Sequence, residues 1–233
     1  MVAPTATGSL RRVDVLLFLP NVICYVRGLC VLLVAVFASF ELAGPLSLAG
    51  LYVGSMALDG LDGVLARRMK QQSEFGAALD VVVDNASRGL MWVLAAGGPL
   101  GSLPLLLEML VFACTHAEGG GAWRSGCFAG APPFVAAVMQ SGFRSPLGIL
   151  AIAGLHFLPL WLWLAPRLPP GHLIAAPVLG AVLVVGRLVA GTVELWLLWR
   201  HFGDILARDA ATLAAALVVE PTASQGNDEG KSD

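Results

Sequence analysis

Apolar stretches near 20–40, 46–66, 75–96, 103–114, 144–165 and 173–199 alternate along this chain with short breaks that are charged or rich in glycine and proline. All but the fourth approach or exceed the ~20 residues a helix needs to cross the hydrocarbon of a bilayer. The pattern predicts an all-α, integral membrane bundle of six transmembrane helices. Pro20 opens the first span, a position where the missing N–H is no loss. Ahead of it, VDVLLFLP (13–20) follows Arg11 and Arg12 and predicts an N-terminal interfacial helix. A secretory signal has the same charge-then-apolar order, but no small-residue cleavage site comes before Asn21 and Arg27. Trp161 and Trp163 stand near the far end of the fifth span, where an interfacial aromatic belt is expected. The division expected is a polar segment over 1–12, a membrane domain over 13–210 and a tail over 211–233, disordered from about 220, where PTASQGNDEGKSD is polar and without aromatics.

Composition sharpens this picture. Hydrophobic residues make up 57%, charged residues 13%, and mean hydropathy is +0.79, so most of the chain is expected inside lipid as one domain. A net charge of −2 and no basic stripe exclude nucleic acid as a partner class. Cys24, Cys30, Cys114 and Cys127 lack metal-ligand spacing and are expected to be reduced or simply buried.

Polar positions inside the apolar spans carry the chemistry, and they concentrate in DGLDGVLARRMKQQSEFGAALDVVVD (59–84). An ionised carboxylate at the centre of a membrane costs ~2.5 kcal/mol or more, so Asp59, Asp62, Asp80 and Asp84 need a compensating partner. Asp59 and Asp62 are three apart and Asp80 and Asp84 four apart, so each pair projects from one face of its helix. Arg67, Arg68, Lys70, Gln71, Gln72 and Ser73 between them suit a surface turn, which the positive-inside rule puts in the cytoplasm. Two antiparallel helices then bring four oxygen ligands together, a set suited to Mg²⁺ or Mn²⁺ and roomy enough for two ions. Gly63 and Gly76 remove side chains where a ligand or a helix comes close, and Arg67 offers a fixed cation for a diphosphate. The plainer alternative is a helix hairpin held by structural Asp–Arg pairs. Arg27, inside the first span, either snorkels or, as preferred here, faces the bundle interior. Arg187 and Glu194 are seven apart on nearly one face, as an ion pair or as polar lining. The Gly-rich stretch 115–133, with His116, Glu118 and Arg124, is either a plain loop or a rim for a polar substrate.

At Asp59, Asp62, Gly63, Ala66, Arg67, Gly76, Asp80 and Asp84 the chain resembles the CDP-alcohol phosphotransferases, whose signature DxxDGxxAR, eight residues, GxxxDxxxD it matches throughout. The resemblance implies that Asp59, Asp62, Asp80 and Asp84 bind a pair of divalent metals, that Asp84 is the general base, and that Asp62, Gly63, Ala66, Arg67 and Gly76 hold the CDP moiety. PNVICYVRG (20–28), SEFGAALD (73–80) and FRSPLGILA (143–151) are further similar to eukaryotic-type phosphatidylinositol synthases. That implies CDP-diacylglycerol and myo-inositol as substrates, membrane lipid as surroundings, a cytoplasm-facing site, the endoplasmic reticulum if the cell is eukaryotic, and room for a homodimer. Gln140, Ser141, Arg144 and Ser145, at the start of the fifth span, are expected to line the acceptor mouth. Within the family, glycerol 3-phosphate, serine or an inositol phosphate remains an alternative acceptor, and CDP-choline or CDP-ethanolamine an alternative donor. From another class, a cation or proton transporter would want an inverted repeat, and none is visible.

Overall fold

The computed structural model describes residues 11–119, 127–169 and 176–219. Among them every regular element is helical. α1 is Arg12–Leu16, α2 Leu19–Ser39, α3 Pro45–Arg68, α4 Glu74–Ala96, α5 Leu103–Gly119, α6 Pro133–Phe143, α7 Pro146–Leu164 and α8 Ala176–Val219.

Local chemistry sets most of these ends. Pro45 opens α3 after Gly44, and Lys70, in the left-handed region with φ of 53°, turns the chain after it. Ser73 caps α4 by accepting the Gly76 N–H at 3.0 Å. Gly97 and Gly98, both with positive φ, end α4, and a 3-10 turn over Pro99–Ser102 leads into α5.

The bundle turns many apolar side chains outward and buries a set of charged and polar ones. Leu29, Leu32, Phe40, Leu46, Leu106 and Leu188 are exposed, while Asn21, Arg27, Asp62, Asn85, Arg88 and Glu108 are buried. Water would favour the reverse, and lipid favours this arrangement. Five stretches are long and apolar enough to cross a membrane: Leu19–Ser39, Pro45–Arg68, Pro99–His116, Pro146–Arg167 and Pro177–Ala216. The third expected span, α4, has the length, at 23 residues, but Asp80, Asp84 and Arg88 put three charges in its middle, and it is not among the five.

Two apolar cores hold the helices. Val34, Leu48, Tyr52, Met91, Leu160 and Trp163 knit α2, α3, α4 and α7 at one end. Val135, Val138, Ala151, Ala190, Val193 and Leu197 join α6, α7 and α8 at the other. α7 and α8 cross where Gly154 meets Gly186. A Cβ on Gly154 would sit 2.8 Å from the Gly186 Cα, so only hydrogen fits and the two backbones touch.

Several expectations need correction. α1 is a single five-residue turn, shorter than the stretch 13–20 that suggested it. α5 is longer than the run 103–114, because polar Thr115 and His116 continue its hydrogen-bonded spiral. The fifth span, α7, keeps within two residues of the expected 144–165, but a helix that was not expected comes before it. This is α6, and the chain turns between them through Ser141, Gly142 and Phe143, all with positive φ, before Ser145 caps α7 and Pro146 starts it. Trp163 is a core side chain, 4% exposed, rather than part of an aromatic belt. α8 runs on to Val219, past the expected tail boundary at 211. The segment expected to be disordered, from about 220, lies outside the described residues, as do Arg124 and the side chain of Glu118.

Candidate functional site

α2, α3 and α4 meet side by side, and their polar faces enclose the four motif carboxylates. Asp59 and Asp62 come from the last turns of α3, Asp80 and Asp84 from the first half of α4. Oxygens of Asp59, Asp80 and Asp84 lie within 4.8 Å of one another, and Asp62 and Asp80 form a second such group with the Cys24 thiol. The convergence that the i,i+3 and i,i+4 spacing predicts is therefore present.

Arg27 stands at the centre, 2% exposed. One nitrogen, Nη1, donates to Asp62 at 2.9 Å and to Asp80 at 2.6 Å. The other, Nη2, lies 2.7 Å from Asp59 and also donates to Asp84. The interior placement of Arg27 is the one preferred from sequence, and it realises the Asp–Arg pairing of the plainer alternative. Pairing alone does not balance the site. Arg27 brings one positive charge to four carboxylates, and Arg88, 3.3 Å from Asp84, is already bound to Glu108 at 2.6 Å. An all-carboxylate cluster with surplus negative charge, whose side chains except Asp62 are 24–41% exposed, fits hard divalent cations.

Glycine at position 76 is a packing requirement. A Cβ there would lie 2.6 Å from Asn21 Oδ1 and 3.1 Å from Ser73 Oγ, so a side chain would push α4 off α2. Asn21 is itself fixed, its Nδ2 donating to the Val15 carbonyl at 2.7 Å. At Gly63 the space a Cβ would take is bordered by the Arg67 guanidinium, 3.5 Å away.

Two cavities open on the carboxylates. One, of about 260 Å³, is lined by Asn21, Asp62, Gly63, Ala66, Arg67 and Gly76 among others. The residues that the resemblance assigns to CDP thus share one wall. The second, of about 200 Å³, lies between α4, α5, α7 and α8 and is lined by Asp84, Asn85, Arg88, Glu108, His116 and His156 among others. Asp80 borders both.

Gln140, Ser141, Arg144 and Ser145, expected at the acceptor mouth, sit together at the α6–α7 corner. Gln140, Ser141 and Arg144 are exposed there, and neither they nor Ser145 line the second cavity. The left-handed turn at 141–143 swings them off it, and Ser145 is committed locally, accepting the Gly148 N–H at 2.9 Å and donating to the Val138 carbonyl. Phe143 reaches the cavity wall instead. Of the two readings for Arg187 and Glu194, the structure forms the ion pair, at 2.8 Å, and Glu194 also borders the cavity. His116 and Phe128 place both ends of the Gly-rich stretch on the cavity rim.

Sequence reading passed over Arg88, Glu108 and His156. Arg88 sits one turn beyond Asp84, and Glu108 is a lone carboxylate in an apolar run, a position where a charge needs a reason. His156 carried no such signal.

Residues 17–119, which hold the whole carboxylate motif, match the family model described as CDP-alcohol phosphatidyltransferase. Curated relatives named CDP-diacylglycerol--inositol 3-phosphatidyltransferase align with the chain. The one from Saccharomyces cerevisiae is 40% identical over 87 residues, 36% of this chain and 38% of the relative. One from Arabidopsis thaliana is 36% identical over 86 residues, 36% of each. The human protein is 35% identical over 74 residues, 32% of this chain and 33% of its own. The aligned part of the chain thus spans little more than a third of these relatives. No solved structure matches the chain.

Proposed function

We propose that this protein is an integral membrane phosphatidyltransferase that joins CDP-diacylglycerol to myo-inositol, giving phosphatidylinositol and CMP. The observation that carries the reading is the placement of Asp62, Asp80 and Asp84 between two cavities, Asp62 on one wall, Asp84 on the other and Asp80 on both. A transfer between two substrates needs that geometry, a donor on one side and an acceptor on the other, with the reacting atoms held at near-attack distance. The names of the curated relatives supply the donor and the acceptor.

In this reading Asn21, Asp62, Gly63, Ala66, Arg67 and Gly76 hold the CDP moiety in the first cavity, with Arg67 on the diphosphate. Asp59, Asp62, Asp80 and Asp84 hold two Mg²⁺ or Mn²⁺ ions, which when bound supply positive charge to the diphosphate. Asp84, facing the second cavity, takes the proton of an inositol hydroxyl as its oxygen bonds to the phosphorus that carries diacylglycerol. The bond from that phosphorus to the bridging oxygen breaks, and CMP leaves with the electron pair.

The proposed membrane setting has α4 as a sixth span beside the five apolar ones, α1 lying at the interface, and the Arg67–Arg68–Lys70 turn with the active site facing the cytoplasm. The acyl chains stay in lipid while the polyol enters from water. The endoplasmic reticulum is the setting if the cell is eukaryotic, and a homodimer is the assembly we favour.

The test is CMP release from CDP-diacylglycerol by purified protein with Mn²⁺, given myo-inositol, an inositol phosphate, glycerol 3-phosphate or serine in turn. Turnover with inositol is expected. Turnover only with another alcohol would refute the acceptor, and no CMP with any of them would refute the transferase reading.

A further inference from the structure

We propose that the cavity beyond Asp84 is an acceptor subsite built for an uncharged polyol, in which Glu108 and His156 hold hydroxyl groups and Arg88 positions them both. The inference rests on the transferase reading above and adds the residues that select the acceptor.

Its first support is a pair of buried polar atoms with no partner. Glu108, 4% exposed, uses Oε2 to accept from Arg88 Nε at 2.6 Å and leaves Oε1 unpartnered. His156 Nε2 lies 3.2 Å from Arg88 Nη1, which as a guanidinium only donates, so Nε2 accepts and the proton sits on Nδ1. Nδ1 is likewise buried without a partner. Both residues line the same cavity. An orphaned acceptor and an orphaned donor in one wall cost the fold free energy, and a ligand that supplies both removes the cost.

Arg88 organises this wall. Besides Glu108 and His156 it reaches Asp84 at 3.3 Å and donates to Asn85 Oδ1, and the Asn85 amide donates to the Glu108 backbone carbonyl at 3.3 Å. One guanidinium thus fixes the two acceptor-facing groups relative to the carboxylate that takes the proton.

Charge makes the second support. Arg88 is neutralised by Glu108, and Glu194 on the cavity wall by Arg187 at 2.8 Å. Asp80 and Asp84 add negative charge at the inner end. Among the described residues, the lining therefore offers no uncommitted cation. A phosphorylated acceptor would be buried beside carboxylates with nothing to pair it, whereas a neutral polyol meets donors and acceptors alone.

The experiment uses the full chain in phosphatidylcholine vesicles with CDP-diacylglycerol and Mn²⁺. Acceptor kinetics for myo-inositol and inositol phosphate are measured in wild type, Glu108→Gln and His156→Phe, alongside CDP-diacylglycerol binding. Wild type is expected to prefer inositol over its phosphate by ~10²-fold or more in kcat/KM. Each variant should raise the inositol KM ~10-fold or more with donor binding retained, and Glu108→Gln, which releases Arg88 from its carboxylate, should narrow the preference. If Glu108→Gln does not fold, His156→Phe and the wild-type preference decide. Inositol turnover with KM within ~2-fold of wild type in the folded variants would overturn the subsite and leave the transferase standing. A wild-type preference for the phosphate would do the same, and absence of any CMP release would remove both.

Discussion

Arg27 Nη1 lies 2.6 Å from Asp80 Oδ1, tying α2 to α4 across 53 positions of sequence. The same guanidinium touches the other three motif carboxylates, so one side chain stands where cations are wanted. It holds three helices in register, and it competes for the oxygens that a divalent ion would use.

Replacing it should separate those two effects. In Arg27→Gln the four carboxylates face one another with only Asp84 still paired, to Arg88, so stability in chelator is expected to fall by ~3 kcal/mol or more, as when a buried pair loses one member. Added Mn²⁺ should then raise the melting temperature further than it does in wild type. Equal metal-induced shifts in both proteins would show that Arg27 does not compete for the metal site.

Divalent ions themselves should bind the folded protein. At ~100 times its dissociation constant an ion stabilises by ~2.7 kcal/mol, which a melting curve resolves. Activity is expected to vanish in excess chelator and to return with Mg²⁺ or Mn²⁺. Full turnover in chelator, with no thermal shift on adding metal, would contradict the assignment.

Asp84 should behave differently from the other three. Asp84→Asn is expected to lower the rate by ~10²-fold or more while CDP-diacylglycerol still binds, because it removes the proton acceptor. Asp59→Asn, Asp62→Asn and Asp80→Asn should weaken metal binding as well as rate. Near-normal turnover in Asp84→Asn would move the base elsewhere.

The crossing of α7 and α8 makes a stability prediction. Gly154→Ala places a methyl group against the backbone of Gly186 and Arg187 and should cost ~1–3 kcal/mol. Gly203→Ala, on the same long helix as Gly186 but with nothing within 4 Å, should instead gain up to ~1 kcal/mol through helix propensity. Equal melting temperatures for the two variants would refute the crossing.

How far the sequence could be read depended on whether a signal was local. The four Asp residues were legible because helical spacing puts each pair on one face and a short polar turn joins the pairs. Arg27 was legible because a charge in an apolar span has few places to go. The far wall of the second cavity was not, since Glu108 and His156 come from α5 and α7, and no periodicity states which helices become neighbours. The start of the fifth span was legible to within two residues, because the Ser145–Pro146 pair is a local helix-start signal.

α8 has 44 residues, ~66 Å at ~1.5 Å per residue, against a hydrocarbon depth of ~30 Å. Upright, it outruns the bilayer about twofold. Arg200, which donates to the Cys127 and Ala129 carbonyls, marks the level at which α8 leaves the bundle, at the end that also carries the carboxylates. Beyond it nearly every described side chain to Ala216 is exposed, with Asp204, Arg208 and Asp209 among them. The last third of the helix, as far as it is described, therefore stands clear of the bundle as an exposed mast beside the end that carries the carboxylates.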